Sequence, residues 1–180
     1  MSLELPSLIW NSQNWLQTPW VLWTAPLVHP SWAHGLANLL ALVLLCALAY
    51  QDRVLKTWGI GIFVLWPLST LSLVALPYFG ITLTHYAGLS GLLHGAAVWL
   101  GYLLLCRSRW VGVTLLLGIT AKLLSEQAWT PPVRWTDDWG FHVAQIAHLM
   151  GALTGLLVVL LSQFCSFVAI IVHRFNDRSV

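Results

Sequence analysis

The sequence predicts an all-α fold, a polytopic membrane helix bundle with about five transmembrane helices. Three observations predict it. Only 8% of the 180 residues are charged, against about 25% in soluble domains. Hydrophobic residues make up 58% of the chain, and the mean hydropathy is +0.78. The apolar residues also gather in runs close to the roughly 20 residues that cross a bilayer, divided by short polar links. So few charges cannot cover a globular surface in water, which excludes a soluble domain. The net charge of +2, with no basic run, excludes a nucleic-acid partner. Cys46, Cys106 and Cys165 stand alone in apolar segments, so they read as small apolar residues and not as a disulfide framework.

The whole chain, 1–180, reads as one membrane domain in three parts. Residues 1–28 hold Trp10, Trp15, Trp20 and Trp23 with Pro6, Pro19 and Pro26. No apolar run there is long enough to span, and tryptophan favours the membrane–water boundary. The segment is expected to lie on the membrane surface and, with no basic n-region, is not expected to be a signal peptide. Residues 29–173 form the helical core, with spans expected over 31–50, 58–77, 88–106, 110–125 and 141–173. Residues 174–180 form a tail. Arg53, Lys56, Arg107, Arg109, Arg174 and Arg178 are six of the eight Lys/Arg residues and fall on one side of this arrangement. By the positive-inside rule that side is the cytoplasm. The N-terminus and the loops 77–87 and 127–140 then face outside, together with Trp129, Trp135 and Trp139.

Polar residues inside spans are costly and point to function. Six of the seven histidines, His29, His34, His85, His94, His142 and His148, fall in outer loops or outer halves of spans. His34 and Asn38 are four apart and share one helix face. They read either as polar glue between helices or as hydrogen-bond donors at a site. The third span opens with Gly88-Leu89-Ser90-Gly91, and His94 lies one turn below Ser90. Gly91 and Gly95 form a small-residue seam, as do Ala147, Gly151 and Gly155 beside His148 in the last span. Packed seam to seam, the two helices would bring Ser90 and His148 within hydrogen-bond reach. That is the arrangement in which imidazole takes the proton from an otherwise weak hydroxyl nucleophile. No carboxylate stands at helical spacing from His148, so the expected unit is a Ser–His dyad. Glu126, Asp137 and Asp138 read as an acidic outer loop with Arg134 as the nearest counter-charge, either simply solvated or gating the substrate.

His29-x4-His34-x3-Asn38, Gly88-Leu89-Ser90-Gly91 and Ala147-His148-x2-Gly151-x3-Gly155, in that order on successive outer helix ends, resemble the rhomboid intramembrane serine proteases. "GLSGLLHG", "AKLLSEQ" and "AHLMGALTGLL" are similar to the rhombosortase branch. The resemblance implies a rhomboid-like bundle and a serine endopeptidase. Its substrates would be exported bacterial proteins carrying a C-terminal GlyGly-CTERM anchor, cut at an inner-membrane site facing the periplasm. It implies Ser90 as nucleophile, His148 as general base, and His34 and Asn38 as oxyanion-hole donors. It also implies a supporting role for His29 in the outer loop and for His94 beneath His148. Gly88, Gly91, Gly151 and Gly155 complete the expected supporting set.

The chain departs from the family in three places. The usual first helix is not found, and either a partner subunit or a truncation of the chain is expected to account for it. Trp20 is followed by Val21 where the family carries a Trp-Arg pair, and Met150 stands where a tyrosine is common. The second reading is a catalytically silent rhomboid-like protein that binds transmembrane helices as a chaperone or subunit. A metal centre on the outer histidines is the third. The spacing of five between His29 and His34 is poor for one helix face, and no Cys or carboxylate joins them at a ligand spacing. No metal and no cofactor is therefore expected.

Overall fold

The computed structural model describes residues 5–137 and 140–176. Asp138, Trp139 and Arg178, which the sequence places in the outer loop and the cytoplasmic tail, lie outside the described residues. The protein is mostly helical. A 3-10 turn at Leu5–Leu8 and the short strand β1 (Trp10–Asn11) precede α1 (Val21–Thr24) and a second 3-10 turn, Ala25–Leu27. The long helices follow as α2 (Trp32–Gln51), α3 (Leu55–Leu71), α4 (Ser90–Leu105), α5 (Arg109–Glu126) and α6 (Gln145–Asn176). Between them lie a 3-10 segment (Ser72–Phe79), strand β2 (His85–Tyr86), and strands β3 (Arg134–Thr136) and β4 (Phe141–Val143). β1 pairs antiparallel with β2, and β3 with β4.

Local sequence explains the boundaries. Ser31 caps α2 by accepting the His34 backbone N–H, directly after Pro30. The run expected to end near residue 77 leaves α-geometry at Leu71 and tightens into the 3-10 segment. The last span does not begin near Phe141. Phe141–Val143 pair with Arg134–Thr136 as a hairpin, and α6 starts only at Gln145.

Three helical segments are long and apolar enough to cross a membrane: Trp32–Gln51, Leu55–Phe79 and Gln145–Ala169. That marks a membrane protein. α4 is apolar but has only 16 residues, and α5 carries Arg109, Lys122 and Glu126. Large apolar side chains point outward on all three long segments, among them Leu40 and Val43 on α2, Phe63 on α3, and Leu160 and Phe164 on α6. Such surfaces suit lipid and not water.

α4 is the hub, buried along most of its length and packed by α2, α3, α5 and α6. Small residues set how closely its neighbours approach. A Cβ on Gly155 would stand 2.5 Å from the Gly95 carbonyl oxygen, and one on Gly151 would stand 1.9 Å from the Gly91 oxygen. The α4 and α6 seams therefore touch backbone to backbone. On the α5 side, a Cβ on Gly112 would meet the Gly101 oxygen at 2.8 Å. Trp58 ties α3 to α4 by donating from its indole N–H to the Ala96 oxygen at 2.9 Å.

The N-terminal segment folds onto this bundle. Trp10, Val21 and Ala25 are buried with Leu73, Leu76, Tyr86 and Ile146 in a second apolar cluster. The indole of Trp66 donates to the Trp23 oxygen at 2.9 Å.

The α4–α6 seam makes a direct forecast. Gly155→Ala inserts a methyl group against fixed backbone and should destabilise the protein by about 1–3 kcal/mol. Thermal unfolding in detergent, compared with a lipid-facing control such as Leu160→Ala, reads the difference.

Candidate active site

Ser90 is the first residue of α4, and the chain reaches it through a turn that glycine and tyrosine build together. Gly88 has φ +125°, and a Cβ there would stand 3.3 Å from the His34 ring. Both facts call for glycine. The buried Tyr86 hydroxyl donates to the Gly88 oxygen at 2.7 Å and accepts from the Gly91 N–H at 3.2 Å. It thus takes the part of an N-cap side chain, which α4 otherwise lacks. Burial pushes the phenol up to about 12, so it stays a neutral donor at physiological pH.

The seam contact brings the opposite helix to this turn. His148 Nε2 lies 2.9 Å from Ser90 Oγ. On the far side of the ring, His148 Nδ1 lies 2.8 Å from Glu126 Oε2. The carboxylate can only accept, so Nδ1 carries the hydrogen and Nε2 is left to accept from the serine hydroxyl. This corrects the expected dyad. A carboxylate does accompany His148, brought from the end of α5 by tertiary packing and not by helical spacing. It also corrects the reading of Glu126 as part of a solvated acidic loop. Its side chain is 15% exposed, and its other oxygen pairs with Lys122 Nζ at 2.5 Å. Its counter-charge is therefore Lys122 and not Arg134. Asp137 does belong to the loop, where it accepts from the Trp135 indole at 2.8 Å.

His94 lies beneath the pair. Its Nδ1 donates to the Ser90 backbone oxygen at 2.7 Å, and its ring stacks on His148 with centroids 4.3 Å apart and planes 8° from parallel. The stack holds the His148 ring face in place. His34 and Asn38 line the same cavity as Ser90 and His148, and Asn38 Nδ2 lies 3.3 Å from His34 Nε2. His29 supports them from outside, bonded to the Leu27 oxygen at 3.1 Å and meeting the His34 ring edge-on at 5.5 Å. His85 and His142 have other partners. His85 pairs with Asn11 at 3.0 Å, and His142 packs edge-on against Trp135.

Two cavities meet at Ser90. The larger, about 360 Å³, runs between α2 and α5 and is lined below the polar groups by Ala41, Leu44, Leu45, Leu115 and Ile119. The smaller, about 210 Å³, is lined by Pro30, His85, Tyr86, Phe141 and His142. Ser90 and His34 line both.

Among the described residues, His94, Glu126 and His148 offer metal-ligand atoms within 4.8 Å of one another. Tetrahedral coordination requires lone pairs that converge on one point. The lone pairs of two parallel stacked rings lie in separate planes and do not converge, so the trio does not fit an ion without rearrangement.

From the sequence Glu126 carries at most a gating role, and Tyr86 and Lys122 are not placed at the site. A carboxylate at the end of an otherwise apolar helix was a usable signal for Glu126. Nothing in the sequence distinguishes Tyr86 from other interfacial aromatics. Tyr86→Phe removes one donor and one acceptor from the turn and should cost about 1–3 kcal/mol, read by thermal unfolding. An unchanged midpoint would show that the phenol does not hold the turn.

No family model, curated protein or solved structure matches this chain.

Proposed function

We propose that the protein is an intramembrane serine endopeptidase of rhomboid type, and within it of the rhombosortase branch. The single observation that supports this reading most is the 2.9 Å approach of His148 Nε2 to Ser90 Oγ, set where two cavities join. Ser90 Oγ attacks the scissile carbonyl carbon while His148 takes the hydroxyl proton. The tetrahedral intermediate collapses, His148 returns the proton to the leaving amine, and an acyl-enzyme forms. Water then repeats the sequence and releases the new carboxyl terminus. His34 and Asn38 are the donors that face the oxyanion. Losing one such donor typically costs about 10²–10³ in rate.

The site's depth fits a substrate held in the membrane. The 16 residues of α4 rise about 24 Å at 1.5 Å per residue, less than the roughly 30 Å of bilayer hydrocarbon. With the cytoplasmic end of α4 near Arg107, Ser90 lies below the outer boundary. This depth supports a reading in which five helices, α2–α6, are immersed and the site opens on the outer, periplasmic side of a bacterial inner membrane. The apolar cavity below Ser90 suits a transmembrane anchor, and the smaller cavity, flanked by His34, His85 and His142, suits the extended chain leading to it. A Gly-Gly junction at the top of such an anchor unwinds at little cost, which supports the GlyGly-CTERM anchor as substrate.

A membrane reporter ending in Gly-Gly, an apolar helix and a basic tail should be cut near the glycines by the wild-type chain. Ser90→Ala and His148→Ala should each leave it intact, scored by mass spectrometry of the product's new C-terminus. If wild type and both variants leave the reporter whole but still co-purify with it, the protein binds helices without cutting them.

A further inference from the structure

We infer that Glu126 is a positioning residue for His148, so that the site works as a Ser90–His148–Glu126 triad assembled from three helices. The inference rests on the reading of Ser90 and His148 as nucleophile and base. Glu126 stands at the last position of α5, where the helix dipole is negative and an acidic side chain is unfavourable. Its side chain is only 15% exposed and lines a cavity whose lower wall is Leu115 and Ile119. A carboxylate held there against both the dipole and desolvation needs compensation. It receives that from two partners, His148 Nδ1 at 2.8 Å and Lys122 Nζ at 2.5 Å. Each oxygen has one partner, so the carboxylate cannot swivel without breaking a charged contact.

The chemical consequence follows from histidine's two nitrogens. With Glu126 accepting from Nδ1–H, the neutral ring keeps its lone pair on Nε2, toward Ser90 Oγ. When His148 takes the serine proton, the ring becomes a cation beside a fixed anion. Glu126 gains no proton in this step; it orients the ring and stabilises the imidazolium. Without it, both tautomers are populated and one of them presents N–H to the serine, which cannot abstract a proton. Glu126 also sits on the helix beside the cavity between α2 and α5, so any motion of α5 that widens that cavity carries the carboxylate with it.

The test uses the full chain in detergent and a fluorophosphonate probe. Ser90 Oγ attacks phosphorus, fluoride leaves, and the hydroxyl proton passes to His148, so the labelling rate reports the nucleophile without needing a peptide substrate. Glu126→Ala and Glu126→Gln should each slow the maximal labelling rate by about 10²–10⁴-fold, with the probe's half-saturation unchanged. Added formate should restore part of the rate in Glu126→Ala, because a small carboxylate can occupy the vacated volume beside Nδ1. A residue that only packs α5 against α6 gives no such rescue. Rates within threefold of wild type in both variants would overturn the inference and leave the Ser–His reading standing. So would a loss that tracks a fall in melting temperature and does not respond to formate. Failure of the wild-type chain to label at Ser90 would remove the protease reading and this inference with it.

Discussion

The Gly91 carbonyl oxygen lies 1.9 Å from where a Cβ on residue 151 would stand. No side chain fits between α4 and α6 at that level, and the rest of the site depends on this contact. In lipid, apolar side chains give helices little reason to prefer each other to their solvent, so close backbone packing carries much of the association. The Gly91–Gly95 seam meets the Ala147–Gly151–Gly155 seam over two turns. That fixes both the separation of the helices and their register. Ser90 and His148 flank the seam, so their 2.9 Å approach is set by backbone contact and not by the pair's own weak attraction.

Around this contact the polar groups form one connected set. Tyr86 holds the turn into α4, His94 ties the Ser90 carbonyl to the face of the His148 ring, and Glu126 closes the other edge of that ring. The Ser90–His148 and His148–Glu126 contacts join different helices, while His94 reaches back to Ser90 within α4. In an apolar surround such a network is costly when half satisfied and rigid when complete. The hairpin of β3 and β4 covers it from outside, with Phe141 packed edge-on against His34 at 5.3 Å. The polar cluster thus lies between a lid of short strands and an apolar trough between α2 and α5.

Much of the helical layout was legible in the sequence because it follows from local rules. The α2 boundary is announced by Pro30 and Ser31, and the small-residue periodicities at Gly91/Gly95 and Gly151/Gly155 name the two faces that meet. Features made by tertiary packing were not legible. Phe141–Val143 are apolar and adjoin an apolar helix, and only their pairing with Arg134–Thr136 makes them a strand. Glu126 is 22 residues from His148, so a search confined to one helix's spacing could not connect them. The N-terminal tryptophans illustrate the same limit. Composition assigns them to an interface, while Trp10 is in fact buried against Tyr86 and Leu73. α4 is a subtler case: its composition is that of a span, but it has only 16 residues.

Glycine contact between α4 and α6 sets the approach of Ser90 to His148. This is tested most directly by the reactivity of Ser90 when that contact is pried open by one methyl group. The folded fraction of Gly151→Ala should lose at least about tenfold in fluorophosphonate labelling of Ser90, since a misplacement near 1 Å costs about 10²-fold at a reacting centre. The lipid-facing Leu156→Ala on the same helix should label like wild type. Labelling of Gly151→Ala at the wild-type rate, with its fold intact, would contradict the account, because Ser90 and His148 would then meet without the seam that is held to bring them together.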